Sequence, residues 1–306
     1  MITIQRASRW YGQVIGLNDV TCDFNPGITA LLGQNGAGKS TMLKLITGQL
    51  RPTTGDLTVF GERPFSNPKV YERIGYCPET DSFYEDMTGR QFVTLMARMA
   101  GVASRNVDSI VANTLEKVGM ADRCDKKIAG YSKGMRQRIK LAQALTHNPE
   151  VLILDEPLNG LDPVGRRELQ EMLKGLAAEG KTIVISSHIL HEVEQMTRHI
   201  VLLHKGRLLA LGDVGEIRGL IDKHPHRVHV EMAGAREFAR KLMVMPSVLS
   251  VAFDRQNPDH VEIETAAPDD FYSEVADMVL TENIEFSAFT SPDNNLESVF
   301  RYLVSK

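Results

Sequence analysis

Nine consecutive residues, Gly33-Gln-Asn-Gly-Ala-Gly-Lys-Ser-Thr41, carry the most specific chemical signal in this sequence. They fit the spacing G-x-x-x-x-G-K-[ST]. Gly36 and Gly38 let the main chain wrap a phosphate with its N–H groups pointing inward. The helix expected to follow adds the positive end of its dipole. Lys39 would then reach the β- and γ-phosphates of a nucleotide, and the Ser40 hydroxyl would bind Mg²⁺. A second signal is Val151-Leu-Ile-Leu-Asp-Glu156, a buried-strand run ending in two carboxylates. Open α/β sheets place ligands at the C-terminal ends of their strands. Asp155 fits a Mg²⁺-holding acid there, and Glu156 is placed to orient or deprotonate an attacking water.

These groups need a scaffold, and the surrounding pattern supplies one. The chain has 306 residues, 42% of them hydrophobic, which suggests roughly two domains. Residues 1–32 alternate as strands, with turns at Tyr11-Gly12 and Asn25-Pro26-Gly27. The short apolar run 28–32 reads as a strand buried on both faces, leading into the glycine-rich loop and then a helix. Residues 85–147 read as a helical region. Its first helix opens with a Thr88/Gln91 capping box and with Met87 and Phe92 at staple positions. Phe92, Leu95, Met96 and Met99 then form a stripe expected to face the core. Buried strands at 151–154 and 182–186 flank a helix at about 163–179, and a hairpin turns at Lys205-Gly206. Strands alternating with helices predict an α/β fold with a largely parallel sheet. The pattern changes near 219–225. Residues 222–306 read as a second domain of order βαββαβ, the ferredoxin-like arrangement, followed by a last helix at about 296–304.

Composition narrows the function classes. A net charge of −4 argues against a nucleic-acid binder, which usually carries a basic surplus. Cys22, Cys77 and Cys124 are scattered and odd in number, so neither a disulfide framework nor a zinc site is expected. The opening Met-Ile-Thr-Ile-Gln-Arg lacks the apolar core of a signal peptide. No apolar run approaches the ~20 residues of a membrane span. His224, His226 and His229 read as a linker entering a strand rather than as metal ligands.

Several motifs in order over residues 1–215 make the chain resemble the ATP-binding cassette family, the nucleotide-binding subunits of ABC transporters. Tyr11 resembles the aromatic that stacks on adenine. Gly33, Asn35, Gly36, Ala37, Gly38, Lys39, Ser40 and Thr41 are the matching phosphate-loop positions. Ile74-Gly-Tyr-Cys-Pro-Glu79 resembles the Q-loop segment, and Tyr131-Ser-Lys-Gly-Met135 the signature motif. Leu161-Asp162 resembles the D-loop, and Ser186-Ser-His188 the switch histidine. Taken alone, His188 and Tyr11 would read as structural residues. The chain departs from the family's commonest form at Lys133 and Met135, where glycine and glutamine are usual. Glu79 stands where the Q-loop glutamine is expected. A carboxylate there can still offer a hard oxygen to Mg²⁺ or to a water, while adding negative charge near the phosphates.

The resemblance implies a P-loop NTPase cassette, with a mixed sheet and a helical subdomain at about 85–147, spanning residues 1–221. A C-terminal accessory or regulatory α+β domain would span 222–306. It also implies ATP and Mg²⁺ as cofactors, with Glu156 and His188 catalytic and Ser40, Glu79 and Asp155 around the metal. Ser132 and Gly134 open a helix whose N-terminus is an anion site. In the family that site, with the neighbouring Asp162, serves the ATP of a second cassette. The expected partners are therefore another cassette and a separate polytopic permease, at the cytoplasmic face of a membrane. The forms Tyr-Ser-Lys-Gly-Met-Arg-Gln-Arg and Tyr-Cys-Pro-Glu look like the ABC-2 exporter branch. A soluble ABC ATPase acting on ribosomes or DNA fits less well, because the chain has one cassette and no sustained heptads. A kinase or GTPase lacks support from the signature motif and from any N-K-x-D segment.

Overall fold

The computed structural model describes residues 1–221, 226–254, 257–282 and 284–291. The chain divides into two compact units, Met1–Asp213 and Val214–Lys306. The helix Val214–Ile221, read from sequence as the end of the first domain, falls with the second.

In the first unit the strands are β1 (Ile2–Tyr11), β2 (Val14–Phe24), β3 (Gly27–Leu32), β4 (Thr54–Val59), β5 (Ile74–Cys77), β6 (Val151–Asp155), β7 (Thr182–Ser187), β8 (His199–His204) and β9 (Arg207–Asp213). A six-stranded sheet runs β5-β6-β7-β3-β8-β9, and a smaller antiparallel sheet runs β2-β1-β4. In the larger sheet β5 through β8 are parallel and β9 is antiparallel to β8. The sheet is therefore mixed, as expected. The β8–β9 turn is tight because Lys205 and Gly206 both take positive φ, 47° and 78°, the primed turn that matches strand twist.

Strand β6 shows why the parallel sheet reads as an unbroken apolar run. Leu152 and Leu154 join a core with Phe92, Leu115 and Ile139, while Val151 and Ile153 join another with Met42, Leu45 and Val184. Alternate side chains thus enter two different cores, so both faces must be apolar. Each such burial contributes about 1.5–3 kcal/mol.

The helices of this unit are α1 (Lys39–Ile46), α2 (Pro68–Tyr71), α3 (Gly89–Met99), α4 (Val107–Lys117), α5 (Lys133–Leu145), α6 (Pro163–Ala178) and α7 (Leu190–Glu194). The capping box at α3 is present: Thr88 Oγ1 accepts from the Gln91 N–H at 3.2 Å, and Gln91 Oε1 accepts from the Thr88 N–H at 2.9 Å. The buried face of α3 overlaps the expected stripe only in part: Phe92 is in the core and Met96 packs against it. Phe92, Val93 and Ala97 are buried, whereas Met99 is 74% exposed. The face is turned by about a quarter turn from the stripe, because residues four apart, Val93 and Ala97, point into the core of α4 and α5.

In the second unit, β10 (His226–Glu231), β11 (Val248–Phe253), β12 (His260–Thr265) and β13 (Ala288–Thr290) form an antiparallel sheet in the order β11-β12-β10-β13. With Ala235–Leu242 and Pro268–Glu282 as helices, the order βαββαβ appears as the sequence predicts. The expected helix at 296–304 lies outside the described residues.

Candidate functional site

Register assembles the chemistry. Strands β6, β7 and β3 are adjacent and parallel, with Asp155 paired to Ser186 and Leu32 to Ser187. The C-terminal ends of all three strands therefore open on one edge. A 460 Å³ cleft lies there, lined by Tyr11, Gly16, Gln34 through Thr41, Glu79, Asp155, Glu156, Asn159 and His188, among others.

The phosphate loop closes on its own lysine. Lys39 is buried, and its ammonium donates to the Gly33 carbonyl at 2.7 Å and lies 3.6 Å from Glu156 Oε1. Gly38 has φ 109°. A Cβ at that position would meet the Gly16 carbonyl at 2.6 Å, so only glycine fits. The far side of the loop is held by the β8–β9 turn: Gly206 N–H donates to the Ala37 carbonyl at 2.9 Å, and Asn18 N–H donates to the Gly206 carbonyl at 2.7 Å. Tyr11 O–H donates to Thr41 Oγ1 at 3.4 Å. Its ring rests on Gly16, where a Cβ would come within 2.8 Å of it.

One hydroxyl ties the Asp155 carboxylate to the Glu156 main chain. Ser186 Oγ donates to Asp155 Oδ1 at 2.5 Å and accepts from the Glu156 N–H at 2.8 Å. Glu156 takes φ 49°, a left-handed conformation that costs a non-glycine residue about 1–3 kcal/mol and clusters at functional sites. That turn aims its carboxylate back at the loop, where Oε2 lies 2.9 Å from His188 Nδ1. Burial pushes the Glu156 carboxyl above its ordinary value. His188 and Lys39 oppose the rise, and Asp155 adds to it. A carboxylate with a raised pKa is a better proton acceptor, as a general base requires.

Among the described residues no three His, Cys, Asp or Glu side chains form a metal cage. Mg²⁺ keeps several waters and takes one or two carboxylates together with substrate phosphates. Ser40, Asp155 and Glu79 bring hard oxygens to the same cleft, and so fit that role.

Ser132, Gly134 and Asp162 do not line this cleft. Ser132 caps α5 by accepting from the Met135 N–H at 3.3 Å, and Asp162 caps α6 by accepting from the Gly165 N–H at 2.9 Å. Lys133 lies across Gly160: a Cβ on that glycine would fall 2.2 Å from Lys133 Cδ. Sequence reasoning missed Gly16, Asn159, the Ser186 bridge and Gly206. Ser186 belongs to a motif legible in the sequence, but its bond to Asp155 depends on strand pairing. A larger cleft of 780 Å³, lined by residues such as Val102, Ile110, His147 and Lys181, contains none of the phosphate-binding groups.

Fold and site together define a P-loop ATPase cassette. The pattern of the ABC transporter family matches residues 17–159. The bacitracin transport ATP-binding protein of Bacillus licheniformis is 40% identical over 66% of this chain and 66% of its own length. The lantibiotic transport ATP-binding protein of Streptococcus pyogenes is 37% identical over 68% of this chain and 89% of its own. An ATP-binding subunit of an ABC transporter superposes with TM-score 0.66 at 31% identity, covering 79% of this chain and 99% of that one. A cassette dimer in a post-hydrolysis state bound to ADP and Pi shares the fold, with TM-score 0.64 at 20% identity over 70% of this chain and 99% of that one. The chain belongs to the ABC transporter family. It spans about two thirds of the length of several of its curated relatives: 66%, 65% and 62% for three of them.

Proposed function

We propose that this chain is the ATP-hydrolysing subunit of an exporter, working as a pair of cassettes that drives a separately encoded polytopic permease at the cytoplasmic face of a membrane. The carrying observation is the division of the site. Lys39, Ser40, Asp155, Glu156 and His188 share one cleft, while Ser132 and Gly134 at the start of α5 stand outside it. A second copy presenting its α5 N-terminus would complete each site. The relatives named for bacitracin and lantibiotic transport support export, as do the forms of the signature and of the Glu79 segment. No helix among the described residues is long and apolar enough to cross a membrane, so the pathway would belong to the permease. The C-terminal domain, residues 222–306, is read as an accessory or regulatory domain. No nucleic-acid partner is expected.

In this reading the loop N–H groups and Lys39 hold the β- and γ-phosphates. Glu156 accepts the proton of the attacking water, and His188 holds the Glu156 carboxylate in place. Ser40 and Asp155 would hold Mg²⁺, which would supply positive charge against the phosphates. Two measurements test the proposal. The chain, expressed at native level and extracted in mild detergent, is expected to co-isolate with a polytopic membrane protein. Recovery with ribosomes instead would favour a soluble ABC ATPase.

The second measurement is the pH profile of turnover. Glu156 must be ionised to act, so turnover falls as pH drops through its raised pKa. The acid limb should therefore lie above the ordinary carboxylate value of 4.5. His188→Ala removes the largest influence holding that pKa down, so the acid limb of its residual activity should move to higher pH. An unmoved limb would detach His188 from Glu156.

A further inference from the structure

Helix α5 carries a buried lysine that takes no part in holding phosphate or activating water. Lys140 is 4% exposed, a burial that lysine seldom tolerates without partners. Its ammonium has three of them, all on one short segment. It donates to the Pro78 carbonyl at 3.1 Å and to the Glu79 carbonyl at 2.8 Å, and it pairs with Asp81 Oδ1 at 3.0 Å. All three contacts of the ammonium therefore fall on residues 78–81. One turn earlier on the same helix, Arg136 forks onto Glu85 with two bonds of 2.7 Å. The residue between them on this face, Gln137, donates to Cys77 Sγ at 3.7 Å. Residues 136, 137 and 140 lie on one face of α5, and that face grips the chain from Cys77 to Glu85.

We propose that Lys140 is the positioning residue for Glu79: it fixes the main chain at Pro78 and Glu79 so that the Glu79 carboxylate enters the nucleotide cleft where the metal-bearing phosphates lie. The proposal rests on the assignment of Glu79 to the metal side of the site. It adds a link that the motifs do not contain. The α5 helix that opens with Ser132 and Gly134 also sets the position of Glu79, through one ammonium. The anion site at the start of α5 and the carboxylate at the end of β5 are thereby joined through a single helix. A carbonyl grip by a buried cation is also directional. Arginine can retain it, whereas an apolar side chain of similar length leaves the two carbonyls without this donor and Asp81 with only Arg136, 3.8 Å away.

The test is the affinity for ATP, measured by calorimetry on the full chain with Mg²⁺ and again in EDTA. The ratio of the two affinities reports on the metal side of the site and needs no turnover. Lys140→Met should reduce that ratio about tenfold while changing Mg²⁺-free ATP binding by less than about threefold, and Lys140→Arg should restore most of it. Glu79→Ala should reduce the ratio to a similar degree, and the double variant should be no worse than either single one. If Glu79→Ala leaves the ratio unchanged, the metal-side assignment of Glu79 fails. If Glu79→Ala lowers it but Lys140→Met does not, or if the two effects add, the positioning role of Lys140 is overturned. Should Lys140→Met fail to give a cooperative melt, Asp81→Asn decides the matter. It loosens the same ammonium while keeping the buried lysine, and it should lower the ratio about threefold. No change in that variant overturns the proposal.

Discussion

Glu156→Gln is expected to lower ATP turnover by about 10²–10⁴-fold, the range of a lost general base, while ATP remains bound. The amide keeps the shape of the side chain and can still meet His188 Nδ1 and the buried Lys39, so the cleft should not collapse. What it loses is proton affinity. Burial has raised that affinity in the native carboxyl, and the amide cannot replace it. A pair of cassettes closed around ATP should then persist. Size-exclusion chromatography with Mg²⁺-ATP would show a dimer that the parent protein forms only in passing, and radiolabelled nucleotide in that peak would be triphosphate. Turnover within a few-fold of the parent value would remove Glu156 from the base role.

Lys39→Ala should weaken ATP binding by about 10–100-fold. Hydrogen bonds to a charged group contribute about 1.5–3 kcal/mol, and about 1.4 kcal/mol is tenfold in affinity. The substitution also has an internal effect. Without its ammonium the Gly33 carbonyl loses its 2.7 Å donor, and Glu156 loses a cation 3.6 Å away. The variant should therefore melt normally or slightly early without nucleotide, and gain little on adding ATP. A titration that matches the parent protein would sink the assignment of the loop as the phosphate site.

The candidate residues that the fold gathers in one cleft were largely legible because local sequence dictates their placement. A glycine-rich turn between a buried strand and a helix admits few other readings, and two acids after an apolar run can hardly sit anywhere but at a sheet edge. What sequence left out comes from register. Ser186 reaches Asp155 because β6 and β7 pair with those residues opposite each other, and no spacing within either strand encodes that alignment. Lys140 meets Pro78 and Glu79 only because the fold packs α5 against the end of β5. On α3, spacing suggested Phe92 and Met99 on one face, yet packing against α4 and α5 chose the Phe92–Val93–Ala97 side. Period alone cannot choose between overlapping apolar faces. The domain division shows the same limit, since nothing local marks the helix at Val214 as belonging with the C-terminal residues rather than with β9.

The β8–β9 turn has a consequence for energetics. Gly206 ties the back of the phosphate loop to β2 through main-chain bonds that involve no ligand. The loop is thus braced from behind by bonds separate from those that would meet a phosphate. Binding spends little free energy on ordering it, so more of the phosphate contact survives as affinity. The receptor is preorganised by residues about 170 positions away in sequence (Ala37 against Gly206). A substitution at Gly206 would thus act on affinity by loosening the loop from behind rather than by touching a phosphate.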